Sequence, residues 1–414
     1  MRVHVKRDLR IILASSSLIV LAYRNLPPKA YTSDLQNDYL PALAFRAGLD
    51  IFAPLTDLSA RYFPVATTNF PHPSPHPPIM TLLALPLTLL PFEVLVPLWL
   101  VLNAALLVVV GRKLGLSLLA SLALAAWPPI FYLLDIGQWE LVVLALAVLA
   151  WQAARGERDW RAGALFGLAA LIKLYPAFLV LPYLLRGRLK VVASAALVFL
   201  GAQLVSLPLI GIHDFVRYWT QVFPAGSSYY TPLGLNSSPY GALLRLFGGA
   251  KDIAPLWQAP SLVLPIALLL ALLALASTRW LRPEAAPLAL LVAMPNVWGW
   301  YVVLALPQIV YLWRQSRYRV GVIVTTVAAS VSLMQLLSLL PVVVLLGMMG
   351  PYSQTLIVVL GAAQALGYVG LLASSAIAER MAPRSPAASA SPVETPYADH
   401  DVPTRSSGSL SGAP

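Results

Sequence analysis

Apolar runs follow one another from about residue 9 to residue 378, separated only by short polar stretches. A transmembrane helix needs ~20 largely apolar residues, and a soluble protein with one or two anchors would not repeat such runs along its whole length. The pattern therefore predicts an all-α polytopic membrane protein with no large globular domain left over.

The polar breaks set the expected topology. Arg2, Lys6, Arg7 and Arg10 precede the run at residues 11–23, so the positive-inside rule places the N-terminus in the cytoplasm and keeps a retained first helix. Residues 26–92 then form a large first external loop, in which Asp34, Asp38, Asp50 and Asp57 stand against Lys29, Arg46 and Arg61. The apolar segment 77–92 is read as an interfacial helix, because counting it as a span would export Arg112 and Lys113. Spans are expected at 93–111, 116–134, 139–154, 191–209, 261–276 and 355–376, with a second external loop at 211–256.

Two stretches do not fit full spans. Only about 25 apolar residues separate Arg155, Arg158 and Arg161 from Arg186, Arg188 and Lys190, too few for two crossings. The spacing predicts a hairpin of two short helices turning near Lys173-Leu174-Tyr175-Pro176. The same arithmetic between Arg279/Arg282 and Arg314/Arg317/Arg319 puts a second turn at residues 295–300. An outward helix after Arg319 and an apolar stretch at 339–349, a span or another interfacial helix, complete roughly 10–12 transmembrane or partial helices. Residues 1–380 are the membrane body, and the Ser-, Pro- and Ala-rich tail 381–414 is expected to be a disordered cytoplasmic segment.

Composition sharpens this picture. The chain has 36 prolines and 24 glycines, which survive at membrane depth only where broken backbone is buried in protein or lines a cavity. With no cysteine there is no disulfide framework, thiolate nucleophile or sulfur-based metal site. The 28 Lys and Arg residues exceed the 17 acids, but they cluster in short loops, so the excess reports topology and not a nucleic-acid partner.

Polar side chains are scarce, so their positions are informative. Asp34 falls just after the first span, where a partly desolvated carboxylate is suited to accept a proton from a hydroxyl. Spacing alone equally allows Asp34 or Asp38 to cap a helix beginning near Tyr39 or to keep the loop hydrated. His72 and His76 lie four apart in a proline-rich segment beginning at Asn69; they share no helical face, which favours hydrogen bonding to phosphate or sugar over a helix-borne metal site, unless the prolines simply brace the helix entry. Lys173 within an apolar hairpin is costly to place and points to a cavity or an anionic partner, with snorkelling to the interface as the alternative. Gln138, Asn236 and Ser238 are uncharged donors suited to sugar hydroxyls, while Tyr175, Trp298 and Trp300 sit at the two hairpin turns. Tyr229 and Tyr230 read first as interface anchors and second as sugar-stacking surfaces.

The order of these elements resembles the bacterial C-type glycosyltransferases that use polyprenyl-phosphate sugars, in particular the phosphatidylinositol-mannoside mannosyltransferases and some arabinofuranosyltransferases. The resemblance runs from the first helix to about residue 315: Asp34 through Tyr39 to Gly48, His76-Pro77-Pro78 before a Leu/Pro helix, Gly137-Gln138, Gly163 to Lys173 and Pro176, and Asn236-Ser237-Ser238 with Arg245. It implies a GT-C-like fold, an Asp34 general base with Asp38 as the substitute if the register slips, and Lys173 as a ligand of the donor phosphate. One departure stands out. Where the family often has Pro-x-x-Trp-x-His-Tyr, this chain has Pro295-Asn296-Val297-Trp298-Gly299-Trp300-Tyr301, so His72 or His76 takes over or the substrate differs.

The reading that follows is an inverting transferase in a bacterial plasma (inner) membrane with an outward-facing site. It would pass mannose or arabinofuranose from a polyprenyl-phosphate donor to an envelope glycolipid or glycan. No cofactor is expected, and the dispersed Asp34, Asp38, Asp50 and Asp57 make no divalent-metal cluster, although relatives of such a fold leave a metal open. A transporter or flippase for lipid-linked sugars is the competing class; it should show paired halves, and no matching large loop recurs in the second half. A non-catalytic scaffold would tolerate Asn at Asp34.

Overall fold

The computed structural model describes residues 2–65, 71–251, 253–315, 319–331 and 352–381. Among these the chain is helical, and its only β pairing is an isolated bridge between Ala250 and Ile253. Helix α1 (Arg2–Arg24) leads into a 3-10 turn at Lys29–Thr32, then α2 (Gln36–Arg46), α3 (Leu55–Tyr62) and α4 (Pro78–Leu83), which continues as a 3-10 turn at Leu85–Leu89. Next come α5 (Phe92–Lys113), α6 (Leu118–Ala123), α7 (Pro128–Ile136), α8 (Glu140–Arg155) and α9 (Asp159–Ile172). After α10 (Leu181–Leu184) and α11 (Leu189–Ile210), the second loop holds α12 (Ile212–Arg217), α13 (Phe223–Tyr230) and α14 (Pro239–Leu243). The remainder is α15 (Val263–Ser277), α16 (Ala286–Ala293), α17 (Leu306–Arg314), α18 (Arg319–Ser330) and α19 (Tyr352–Met381).

Four of the described helical segments are long and apolar enough to cross a membrane: Phe92–Lys113, Leu189–Ile210, Pro260–Ser277 and Gln354–Met381. The all-α multi-pass architecture expected from the runs is therefore present. Helix α1 is not among the four, because Arg2, Lys6, Arg7 and Arg10 keep its first turns polar. The expected span 116–134 is broken: α6 with its 3-10 extension and α7 are together long and apolar enough to cross a membrane but are bent by 78°. Trp127 between them is extended (φ −71°, ψ 122°), as a residue before proline prefers, and Pro128 and Pro129 lack the N–H groups that would continue the helix.

Both predicted hairpins are present. Helix α9 ends at Ile172, Lys173 is extended, and the chain returns through a 3-10 turn at Tyr175–Val180 and α10. The second hairpin rises through α16, turns at 294–298, and returns through a 3-10 segment at Gly299–Ala305 into α17. Helix α9 packs closely on α11 because Gly163 and Gly167 carry no Cβ. A Cβ at Gly163 would collide with the Val191 carbonyl and lie 2.7 Å from the Ser194 Cβ; one at Gly167 would lie 2.7 Å from the Ala195 carbonyl. This is the small-residue spacing that lets helices approach backbone to backbone in lipid. Helix α15, by contrast, leaves Leu264, Leu268 and Leu272 exposed, as a lipid-facing helix would.

The main core runs through α5, α7, α8, α9 and the second hairpin. The first loop has its own small core, in which Tyr31, Tyr39, Phe63 and Phe92 pack with ring centroids 4.7–6.3 Å apart. This cluster seats α2 and α3 on the start of α5. The second loop is more helical than expected and includes π turns at Tyr218–Val222 and Leu244–Gly248. The stretch 339–349, Asn69 and residues 382–414 of the expected tail lie outside the described residues.

Candidate active site

A cavity of about 970 Å³ opens among the first loop, α7, the two hairpin turns, α13 and α15. Asp34, His72, His76, Gln138, Lys173, Tyr175, Trp298 and Trp300, dispersed over 267 positions of sequence from first to last, all line it. Asp38, Asn236 and Ser238 do not.

Asp34 is placed by backbone before its side chain acts. Its N–H donates to the Ile136 carbonyl at 2.7 Å, and the Ser33 hydroxyl donates to the same oxygen at 3.0 Å. The receiving turn requires Gly137: its φ is +73°, and a Cβ there would strike the Ser33 hydroxyl. Trp99 fixes the turn from the other side, donating from Nε1 to the Gly137 carbonyl at 3.1 Å. Gln138, the next residue, donates from Nε2 to the Asp34 carboxylate and accepts at Oε1 from Lys173 Nζ at 2.7 Å. Lys173 in turn donates to Glu140 at 2.5 Å and lies 5.4 Å from the centre of the Tyr301 ring. Burial pushes the Asp34 carboxyl up to about 6, a rise restrained by the Gln138 hydrogen bond and the Lys173 charge and reinforced by Glu140.

Neither aspartate is a helix cap. Helix α2 begins at Gln36, and the residue before it, Leu35, makes no capping bond with its side chain. Asp38 is fully buried and accepts from His76 Nδ1 at 2.6 Å and Trp139 Nε1 at 2.7 Å. It therefore orients the histidine, which leaves the other ring nitrogen of His76 as the one not held by a carboxylate. The Tyr230 hydroxyl bonds to His72 Nε2, while His72 Nδ1 donates to the Pro73 carbonyl at 2.8 Å; burial lowers the affinity of His72 for a proton. Tyr230 also meets Trp298 edge-on at 5.4 Å, and Trp298 stacks on Trp300 at 5.4 Å with an 8° tilt. His72 thus reaches the turn that carries tryptophan in the histidine position of its resemblance.

Asn236 and Ser238 were expected to face sugar; their hydrogen-bonding groups are instead spent on the second turn. Asn236 donates to the Thr231 and Pro295 carbonyls (2.8 and 2.7 Å) and accepts from the N–H groups of Ser238 and Val297 (3.0 and 3.1 Å). Ser238 donates to the Pro295 carbonyl at 2.9 Å and caps α14. Both hold Pro295 to Trp298 against the second loop.

Sequence reasoning missed the acidic partner Glu140 and the group Arg24, Lys29 and Asp135. Arg24 grips the Asp135 carboxylate with Nε and Nη2 at 2.7 and 2.8 Å, and Lys29 donates to both its oxygens at 2.8 and 2.9 Å. The available signal was Arg24 and Lys29 flanking a Pro27-Pro28 pair at the end of the first helix, a place where basic residues ordinarily read as interfacial anchors. Glu140 reads as an ordinary first-turn acid of α8. Among the described residues, no group of three or more His, Asp or Glu could hold a metal ion.

Residues 75–307 match Glycosyltransferase family 87, more than half of the chain. The chain belongs to that family. The resemblance read from the order of its motifs holds at this level: the chain belongs to a glycosyltransferase family and carries helices long and apolar enough to cross a membrane. The matched region includes His76, Gln138, Lys173 and both hairpin turns but begins beyond Asp34.

Curated relatives agree. A polyprenol-phosphate-mannose-dependent α-(1-2)-phosphatidylinositol pentamannoside mannosyltransferase of Mycolicibacterium smegmatis is 36% identical over 207 residues, 46% of this chain and 48% of that protein. Its Mycobacterium tuberculosis namesake is 31% identical over 204 residues, 46% of each chain. A polyprenol-phosphate-mannose-dependent α-(1-2)-phosphatidylinositol mannoside mannosyltransferase of M. smegmatis is 31% identical over 191 residues, 42% of each. The matches span about half the length of these relatives. No solved structure matches the chain.

Proposed function

We propose that this family 87 chain transfers a sugar, mannose foremost, from a polyprenyl-phosphate donor to a glycolipid or glycan acceptor of the envelope, with inversion at the anomeric carbon. The observation that carries the proposal is the Asp34 carboxylate on a cavity wall, hydrogen-bonded to Gln138 and with its proton affinity raised toward neutrality. A carboxylate so placed is ionised at neutral pH, yet basic enough to take a proton from an attacking hydroxyl. The cavity also suits an amphiphile: Leu174, Phe178, Leu275 and Leu290 supply apolar wall beside the charged groups.

In this reading the acceptor oxygen attacks the anomeric carbon as its proton passes to Asp34. The bond from that carbon to the phosphate oxygen breaks, and its electron pair leaves on the lipid phosphate. Tyr175 and Trp300 add aromatic surface to the cavity wall; the Tyr175 hydroxyl and Trp300 Nε1 are themselves buried without a hydrogen-bond partner among the described residues. His76, oriented by Asp38, and His72, oriented by Tyr230, complete the polar wall. The site faces the exterior of a bacterial plasma membrane, with the N-terminus in the cytoplasm, as the basic loops suggest.

The test is incubation of purified protein with radiolabelled polyprenyl-phosphate mannose and a panel of membrane acceptors, comparing wild type with Asp34→Asn. Transfer by wild type alone supports the proposal. Equal transfer by both forms removes Asp34 as base, and lipid-sugar movement across vesicles without transfer favours a flippase.

A further inference from the structure

The departing lipid phosphate must gain charge as it leaves. Within the donor it is a diester with one negative charge; once the glycosidic bond breaks it is a monoester carrying about −1.5 to −2 near neutral pH. A site that stabilises this step needs surplus positive charge, set where the leaving oxygen develops.

The charges of the cavity are not evenly shared. Around Gln138, the single ammonium of Lys173 stands between two carboxylates, Glu140 at 2.5 Å and Asp34 through the Gln138 amide, so that end carries a net negative charge when both acids are ionised. His76 lies against the Asp38 carboxylate. At the other end two cations, Arg24 and Lys29, share the one carboxylate of Asp135 and leave a net positive charge. Both line the cavity, and both side chains are partly exposed, at 27% and 39%, while Asp135 beneath them is at 2%. The two ends are close, because the Asp34 N–H bonds to the carbonyl of Ile136, the residue after Asp135.

We infer that Arg24 and Lys29, and not Lys173, hold the leaving phosphate, with Asp135 aligning the two cations in its place until the phosphate arrives; this rests on the lipid-phosphate donor proposed above. Arg24 offers a planar fork and Lys29 a mobile point charge, a pairing suited to a phosphate whose charge rises during the reaction. Lys173 then serves Asp34: through Gln138 and its own charge it keeps the base ionised. Acid at one end and cations at the other match the two halves of the displacement, a proton accepted beside the acceptor and an anion released beside Arg24 and Lys29.

Binding can be read apart from transfer with detergent-solubilised full-length protein, farnesyl phosphate as probe and farnesol as the uncharged control. Wild type and Asp34→Asn should bind farnesyl phosphate more tightly than farnesol. Arg24→Gln and Lys29→Met should each weaken farnesyl phosphate roughly tenfold or more while leaving farnesol unchanged. Asp135→Asn, which frees the two cations, should bind farnesyl phosphate at least as tightly as wild type, and Lys173→Met should bind it normally while its transfer slows. Opposite effects of Lys29→Met and Asp135→Asn are what a merely structural ion group would not give. The inference is overturned if wild type binds farnesol as tightly as farnesyl phosphate, if Lys173→Met is the variant that loses the probe, or if all three changes at Arg24, Lys29 and Asp135 weaken it alike. Farnesyl phosphate bound as expected, without sugar transfer by wild type, would leave this anion site standing and remove the proposed transferase reaction instead.

Discussion

The Gln138 side-chain amide donates to the Asp34 carboxylate, and because its carbonyl oxygen accepts from Lys173, its orientation is fixed at both ends. A carboxylate held by one neutral donor and one remote cation keeps lone pairs for a substrate proton, which a direct lysine salt bridge would have occupied.

Removing the base should be more damaging than removing its neighbours. Asp34→Asn is expected to lower the rate of sugar transfer roughly 10²- to 10⁴-fold with little change in donor affinity. Single-turnover transfer together with donor binding checks this; a loss of affinity alone would count against a base.

The proton affinity of Asp34 gives a pH signature. Transfer should fall as pH drops through about 6, where the carboxylate becomes protonated. Gln138→Leu deletes a hydrogen bond that favours the charged form, so its acid limb should move to higher pH. Lys173, Glu140 and His76 also act on Asp34, and Lys173→Met should shift the limb in the same direction as Gln138→Leu. A pH profile of kcat/KM for the three proteins decides the matter; coincident limbs would exclude the assignment.

The same residue should cost stability. Its folded value lies above the ordinary 3.8, so between 3.8 and about 6 the folded protein holds a proton that the unfolded chain has released. Stability therefore falls as pH rises through that window and stays lowered above it. Asp34→Asn escapes the penalty and should melt a few degrees higher than wild type at about pH 7.5, with the difference closing toward pH 4. Thermal denaturation in one detergent at both pH values tests the sign.

Asn236 is expected to matter through position. Asn236→Ala would strip the Thr231 and Pro295 carbonyls and the Ser238 and Val297 N–H groups of a partner. Buried groups left unpaired cost about 1–3 kcal/mol each, so the melting temperature and transfer rate should fall together. Ser238→Ala, which loses one carbonyl contact and a cap, should do less. A variant that only raised the KM for the acceptor would return Asn236 to the sugar-binding role.

Helix packing supplies a control remote from the cavity. Gly163→Ala places a methyl group against the Val191 carbonyl and must separate α9 from α11. We expect a lower melting temperature, with the overpacking costing about 1–3 kcal/mol, and a lower yield of folded protein. An unchanged melting temperature would show that α9 and α11 do not approach as closely as described.

The sequence by itself determined the all-helical, multi-pass class, both short hairpins and their turns, and the candidacy of Asp34, Gln138 and Lys173. These follow from quantities that sum locally: the length of an apolar run, the count of residues between two basic loops, the cost of an ion within a hydrophobic stretch. Even there Pro128 and Pro129 broke an expected span, because hydropathy does not register a missing N–H. Tertiary structure alone decided who pairs with whom. Asp34 meets Gln138 across 104 positions and Arg24 meets Asp135 across 111, and only the stacking of α1, α7 and the hairpin turns brings those partners within bonding distance. It also drew Asn236 away from the cavity and gave Lys173 a buried acid of its own, since in a low-dielectric interior each polar group must find a partner wherever the fold offers one.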